Sequence, residues 1–473
     1  MRRFCRILVR AALLGFLLVV VLALSTLKPV DRTPWQETPL AADLAARLNA
    51  LHGQTNLVRG TLLAGFGRAR LTPTLGAAED DPAHGAFRSL PLAGYGQRRG
   101  RSATGIHDDL WVKAVAFVVA GQTGVVASAD ALIIPFEVSE AAADLLRPDG
   151  ITRTQLYFSA THSHCSIGAW GKGVVAEAFA GGYQPGARMW FAQQLAAAAR
   201  AALEDLAPAQ AGASSFEATN FVRNRLQGDR GRFDPAFNLL VVQQAKGNRA
   251  ILGSYGAHAT VLSGNVMECS ADYPGAWQRE MEREPQTMAV FLGGAVGSHG
   301  PRAGAPGWEG VERMGRGLAE LTRPAVSALV LTNRLVFGLT SLSLPLPDLQ
   351  ARLTDGIRLR PWLARRLLPV QPSTMVQGLR IGDAVWLSAP CDFSGELALD
   401  LKASAPRLSA QTIHTVAMTS FNGDYVGYVI PSQYYGLGGY EPRTMSFFGP
   451  QLPGYFSAAF RGLIEVVGTS GPQ

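Results

Sequence analysis

Gln155-Leu156-Tyr157-Phe158-Ser159-Ala160-Thr161-His162-Ser163-His164-Cys165 opens as a short apolar run and breaks into small polar residues carrying two histidines two apart. A run of that length bounded by turn-forming residues reads as a buried strand, expected over Gln155–Ser159. On an extended backbone residues i and i+2 share a face. Both imidazoles of His162 and His164 are therefore expected to project from the strand end into one cavity, one free to bind a metal and the other to move protons. Working outward, alternating or β-branched runs predict further strands at Leu62–Leu71, Trp111–Val119, Gly124–Ala129, Leu239–Gln243, Thr287–Leu292, Val336–Leu344, Ala384–Ser388 and His414–Thr419. Apolar residues at helical spacing predict helices within Thr38–Leu57, Met189–Leu206 and Gly310–Leu331, the last two with alanine-rich faces. Strands interleaved with helices make the fold α/β (α+β mixed). One large domain, running from about residue 38 to residue 473 with mixed sheets flanked by helices, is expected.

Composition excludes several classes. With 473 residues and 47% hydrophobic content the chain is neither disordered nor a small disulfide-stapled protein, and no internal period marks a solenoid. Its net charge of +7 owes four charges to Arg2, Arg3, Arg6 and Arg10. The remaining basic residues are scattered and form no long run with interleaved aromatics, so nucleic acid is not an expected partner.

Behind those arginines, residues 11–27 read AALLGFLLVVVLALSTL without a charge. At about 1.5 Å per helical residue this stretch spans most of a hydrocarbon core. It predicts one N-terminal transmembrane or signal helix with a cytoplasmic Arg-rich tip, and a linker reaching residue 37. By the positive-inside rule the chain from Lys28 onward is extracytoplasmic, periplasmic or extracellular. Ala23-Leu24-Ser25 fits a signal-peptidase pattern, so the domain is either membrane-anchored or, if the leader is cleaved, secreted. Asp355–Pro372, DGIRLRPWLARRLLPVQP, interleaves four arginines with apolar residues. It reads either as a basic amphipathic segment resting on an anionic bilayer or as a surface helix with its apolar side in the core. Outside the leader stand Cys165, Cys269 and Cys391. Each is read as a buried small hydrophobe, with a Cys165–Cys391 disulfide as the pairing to test.

Two more segments carry candidate chemistry. Ser254-Tyr255-Gly256-Ala257-His258-Ala259-Thr260 sets a third histidine among small residues, with room for an ion, and Ala389-Pro390-Cys391-Asp392-Phe393-Ser394 presents an acid after a strand and a proline turn. Each has a structural alternative, a satisfied core histidine and a turn-capping aspartate.

Taken in order, the segments resemble the neutral/alkaline (non-lysosomal) ceramidase family in its N-terminal catalytic domain. The resemblance runs from Gly65-Phe66-Gly67-Arg68 through Gly94-Tyr95-Gly96, Gly105-Ile106-His107-Asp108-Asp109 and Ala129-Asp130 to the ATHSH segment, which is similar to the family's THTHSGPGG. It continues through His258, Ser270-Ala271-Asp272-Tyr273-Pro274-Gly275, Leu379–Asp383 and the tyrosine-dense region Asp424–Glu441. It implies a zinc amidohydrolase that cleaves ceramide to a sphingoid base and a fatty acid, with a lipid substrate and a membrane surface as partners. Residue by residue, it implies His162, His258, Asp392 and Tyr428 as Zn²⁺ ligands, Asp392 standing where the family has a glutamate. It implies His164 as acid/base and Tyr440 and Arg225 at the substrate carbonyl, with Arg223 as the fallback for Arg225. Arg223, Ser298 and His107 are carried as substrate-binding candidates. The family's Gly-Asp/Asn-x-Ser-Pro-Asn reads here Gly294-Ala295-Val296-Gly297-Ser298-His299-Gly300-Pro301, with the serine displaced by one. The chain stops soon after the tyrosine region, so the expected domain is without the family's C-terminal β-sandwich. Two alternatives stay open: a hydrolase of another N-acyl lipid or amide on the same metal site, and an inactive membrane-anchored lipid-binding protein.

Overall fold

The computed structural model describes residues 2–52, 57–368, 370–409 and 411–468. Twelve strands form one branched sheet: β1 (Val58–Arg70), β2 (Trp111–Val119), β3 (Gln122–Ala129), β4 (Leu156–Ala160), β5 (Ala207–Glu217), β6 (Ala236–Gln244), β7 (Arg249–Tyr255), β8 (Thr287–Gly293), β9 (Arg334–Pro345), β10 (Ser373–Ile381), β11 (Ala384–Ala389) and β12 (Thr415–Ser420). The order is β8-β7-β6-β5-β1-β9-β10-β11-β12, and β2, β3 and β4 branch from β1. Three pairs are parallel, β3 with β4, β7 with β8 and β11 with β12, and the others antiparallel.

Period-two burial explains the layering. In β2, Ala114 and Ala116 pack with Phe191 and Leu195 of the helix Pro185–Glu204, while Val115 and Phe117 join Leu252, Leu292 and Trp386 in a second core. In β7 and β8, Ile251 and Phe291 face the helices Asp272–Met281 and Gly307–Ser327, and Leu252 and Leu292 face that second core. In β10 and β11, Val376 and Leu387 meet the helices Gly395–Leu408 and Leu452–Gly468. The sheet therefore folds over itself, and helices cover both outer faces. Buried hydroxyls stitch its arms: Tyr157 OH meets Thr419 Oγ1 at 2.7 Å, Ser159 donates to the Ser420 carbonyl at 3.0 Å, and Ser420 donates to the Gly294 carbonyl at 2.8 Å. Gly65 and Gly67 let β1 lie against the helix Pro185–Glu204, since a Cβ there would stand 2.0 Å from the Ala202 carbonyl and 2.2 Å from the Ala198 carbonyl.

The α/β pattern read from the sequence matches nine of the twelve strands; Ala207–Glu217, Arg249–Tyr255 and Ser373–Ile381 were not among the expected strands, nor were Phe136–Leu146, Asp272–Met281, Gly395–Leu408 and Leu452–Gly468 among the expected helices. In Ala207–Glu217 the alanines, glycine and serines carry no β-branched side chain, and pairing with β6 and β1 decides its form. The helix expected within Thr38–Leu57 is Pro39–His52, and positions 53–56 lie outside the described residues, as do Pro369 and residues 469–473. The apolar helix runs Arg2–Thr26 and includes the arginine tip; from Arg3 it is long and apolar enough to cross a membrane, with 0% of its apolar window buried. Residues 28–37, expected as a linker, are held against the domain: Leu27–Pro29 pairs with Ile357–Leu359, and the Trp35 ring lies 5.7 Å from that of Tyr455.

Candidate active site

Five segments that follow the carboxyl ends of strands meet at one place: Thr161–His164 after β4, Ala257–His258 after β7, Gly294–Val296 after β8, Asp392–Phe393 after β11 and Phe421–Tyr425 after β12. Carboxyl ends of strands are where α/β sheets gather their ligands. His162 and His164 do meet, their rings edge to face with centroids 4.8 Å apart. The reason is not the extended alternation expected. β4 stops at Ala160, and His162 has φ 64°, a left-handed conformation held by stacking of its ring on Phe421 at 4.3 Å.

His162 Nδ1 lies 2.7 Å from the Leu132 carbonyl, and His258 Nδ1 lies 3.2 Å from the Val296 carbonyl. A carbonyl only accepts, so both Nδ1 atoms carry the proton and both Nε2 atoms present lone pairs. Those two Nε2 atoms are 2.8 Å apart, and His164 Nε2 is 3.3 Å from His162 Nε2. Asp392 is fully buried; its Oδ2 accepts from Tyr425 OH at 2.7 Å, whereas Oδ1 has no hydrogen bond and lies 3.4 Å from His162 Nε2 and 3.9 Å from His258 Nε2. Tyr428 OH lies 3.3 Å from His258 Nε2 and accepts from Arg225 Nη2 at 2.9 Å. Parallel pairing of Asp392 with Tyr428 in a two-stranded ribbon brings these two together.

Lone pairs and a bare carboxylate oxygen converging in a buried space repel one another unless a cation lies among them. Protonation does not supply it, because burial pushes His162 down to about 3 and holds His164 and His258 well below the usual imidazole range. Burial raises Asp392 to about 7, against the opposing hydrogen bond from Tyr425 and the charge of Arg225, so this carboxyl keeps its charge at neutral pH only with a cation beside it. A divalent ion taking mixed nitrogen and oxygen ligands fits this donor set. His162, His164 and His258 form a buried cluster whose ligand atoms lie within 4.8 Å of one another.

A cleft of about 1020 Å³ opens above the cluster, reaching His162, His164, Asp392 and Tyr428 between apolar walls that include Leu132, Trp170, Phe179 and Phe447. Tyr440 stands on its rim, half exposed, with its ring 5.8 Å from that of Tyr428. Arg225 reaches Tyr428 from a second cavity that it lines with Arg223, and its Nε is 2.9 Å from Glu441 Oε1.

Three candidates stand away from the cleft. His107 is exposed and stacked on Trp308 at 3.6 Å. Arg223 is exposed on the second cavity. Ser298 is buried with its hydroxyl 2.9 Å from Ser394 Oγ and accepting from Gly395 N–H, so it fastens the Asp392 turn instead of facing a substrate. The Cys165–Cys391 pairing is not made either. Both are buried free thiols, in separate cores.

Of the other residues that hold the site, Gly94, Tyr95 and Asp272 entered the sequence reading only within longer motifs, and Arg98 not at all. Arg98, 1% exposed, donates to the carbonyls of Ala93 at 2.9 Å, Val266 at 2.8 Å and His164, fixing the backbone of the second histidine. Tyr95 packs its ring 4.7 Å from that of His164, and Gly94, with φ 109°, leaves room for that ring, since a Cβ there would lie 2.6 Å from His164 Cγ. Glycines around Tyr95 are the only trace of this in the sequence; nothing distinguishes Arg98 from its neighbour Arg99. Asp272, also left-handed at φ 54°, accepts from Leu262 N–H at 3.0 Å and Tyr273 N–H at 2.6 Å, bracing the loop that follows His258.

Burial raises Asp272 to about 7, above an unfolded value of about 3.9. Folding thus binds a proton at this carboxyl, and the stability present below about pH 4 is lost as pH rises toward 7. Asp272→Asn tolerates the same backbone conformation. It is expected to flatten the fall in unfolding midpoint between pH 5 and pH 8, measured by thermal melts; an unchanged slope would place the titration elsewhere.

The model of the neutral/alkaline non-lysosomal ceramidase N-terminal domain matches residues 74–297, the part that holds His162, His164 and His258. In structure the chain is similar to neutral ceramidase from Pseudomonas aeruginosa, with 17% identity, coverage of 87% of this chain and 76% of that one, and a TM-score of 0.71. It is also similar to a ceramidase complexed with C2, with 18% identity, coverage of 86% and 74%, and a TM-score of 0.69. No curated protein matches the chain by sequence. At these identities the solved structures establish the shared fold, and the sequence match covers the segment that carries the three histidines. Residues 74–297 thus match the neutral/alkaline non-lysosomal ceramidase N-terminal domain, and the chain as a whole shares the fold of neutral ceramidase.

Proposed function

We propose that the chain cleaves the N-acyl amide of ceramide to a sphingoid base and a fatty acid, with a Zn²⁺ ion held by His162, His258, Asp392 and Tyr428. The observation that carries this reading is the buried meeting of two Nε2 lone pairs and an unpartnered Asp392 oxygen at the base of an apolar cleft. When bound, zinc would supply Lewis acidity of the kind that lowers the pKa of water to about 7.

The chain's own groups have distinct tasks. His164, neutral at the edge of the cluster and facing the cleft, takes the proton that the attacking water loses as its oxygen bonds to the amide carbon, and passes it to the sphingoid nitrogen as the C–N bond breaks. Arg225 holds the Tyr428 phenol by donating to its oxygen, and its charge, with the Tyr440 hydroxyl, favours the negative charge that develops on the amide oxygen. Tyr425 fixes the Asp392 carboxyl through Oδ2, so that Oδ1 stays turned to the histidines. Apolar walls take the alkyl chains and keep bulk water from the reacting amide. The helix Arg3–Thr26 anchors the domain outside the cytoplasm, beside a substrate that resides in the bilayer.

The test is release of fatty acid from ceramide and from a panel of unrelated N-acyl amides, with and without a chelator. Chelator-sensitive turnover that is fastest on ceramide is expected. Faster turnover of another N-acyl lipid would move the substrate and keep the site; turnover indifferent to chelation would refute the metal.

A further inference from the structure

The end of the apolar helix is built into the catalytic domain. Helices leave their last carbonyls without intrahelical partners, and here the domain supplies them. Arg360 Nε donates to the Leu24 carbonyl at 2.9 Å, Trp362 Nε1 to the Ser25 carbonyl at 3.1 Å, and Arg360 N–H to the Thr26 carbonyl at 2.8 Å. Directly after the helix, Leu27–Pro29 forms an antiparallel ribbon with Ile357–Leu359, and the buried Arg358 guanidinium bonds the Pro29 carbonyl at 3.2 Å and the Leu349 carbonyl at 2.7 Å. The same segment reaches the cleft. Arg352 donates to the Pro442 carbonyl at 2.5 Å and Arg443 to Asp355 at 3.0 Å, tying it to the turn that carries Tyr440, and Leu368 and Val370 line the cleft itself.

A helix of 24 apolar-rich residues is long enough to span a hydrocarbon core of about 30 Å. Its terminal carbonyls then emerge in the headgroup layer, and whatever bonds them sits at that depth. The groups that do so have the chemistry of that layer: Trp362 is 53% exposed and Leu367 43% exposed, and between them Arg365 and Arg366 are exposed without an ion-pair partner among the described residues.

We propose that this ribbon and the caps from Arg360 and Trp362 lock the domain onto its own membrane helix, seating Trp362, Arg365, Arg366 and Leu367 in the headgroup layer of an anionic leaflet with the cleft opening beside it. The lock holds whatever amide the cleft cleaves; only its benefit to turnover rests on the lipid-hydrolase reading.

The test uses the full chain in vesicles of phosphatidylcholine and phosphatidylglycerol, some carrying bromine near the headgroup end of the acyl chains. The emission lost in Trp362→Phe is expected to be the part quenched by bromine, and more weakly quenched in phosphatidylcholine alone. An unquenched difference, or quenching indifferent to phosphatidylglycerol, overturns the seating. A Gly/Ser insert between Thr26 and Leu27 is expected to lower turnover of bilayer-embedded ceramide on the order of tenfold while leaving turnover in detergent micelles unchanged. Equal bilayer rates overturn the lock. Ceramide left intact in micelles by both proteins refutes the substrate reading instead, and the quenching still decides the seating.

Discussion

The His162→Ala/His258→Ala double variant is expected to fold and to lose both its bound ion and its turnover. Metal analysis should fall from about one ion per wild-type chain to almost none, and the rate should drop on the order of 10³-fold or more, the several kcal/mol of barrier that a Lewis acid typically supplies. The fold is expected to survive because the losses are local: the stack of the His162 ring on Phe421 and the Nδ1 contacts to the Leu132 and Val296 carbonyls go, while the strands and helices keep their packing. The two imidazoles face each other at 2.8 Å through lone pairs, an arrangement that costs stability in the metal-free protein and is relieved by their removal. Variant protein that still carried one tightly held ion per chain would show that the cation sits elsewhere.

His164→Ala is expected to behave differently, retaining the ion while losing about 10²–10⁴ in kcat, the usual contribution of a positioned proton carrier. Its Nε2 approaches His162 Nε2 at 3.3 Å, close enough that a ligand role is the competing reading. The two outcomes separate cleanly. Loss of metal together with turnover assigns His164 to the ion; retained metal with lost turnover, and a pH profile that loses one limb, assigns it to the proton.

Much of this site was legible in the sequence because its parts are local. An apolar run ending in small residues and histidines marks a strand end wherever it occurs, and His162, His164 and His258 are all found in such settings. The detailed geometry was not legible. The histidine pair meets through a left-handed residue supported by Phe421, which is distant in sequence, so alternation gave the right neighbours for the wrong reason. Asp392 joins Tyr428 through a two-residue ribbon, too short to leave a pattern. Arg98 is one of several arginines in a loop, and only the tertiary structure shows which of them is buried among carbonyls. The substrate-binding expectations for His107 and Ser298 came from order along the chain, which says nothing of the direction in which a side chain points. Ser298 proves to fasten a turn, and His107 to cover a tryptophan.

The hydroxyl seam between the two arms of the sheet sets a vernier for the whole molecule. Ser159, Ser420, Tyr157 and Thr419 find partners only at one offset of one arm against the other. A slip of one residue would turn each of them into hydrocarbon and strand it without water. The loops above the seam therefore stand at fixed heights, and they can lengthen, shorten or exchange residues without the scaffold losing its alignment, which leaves the apolar walls free to be recut for other acyl chains around an unmoved centre.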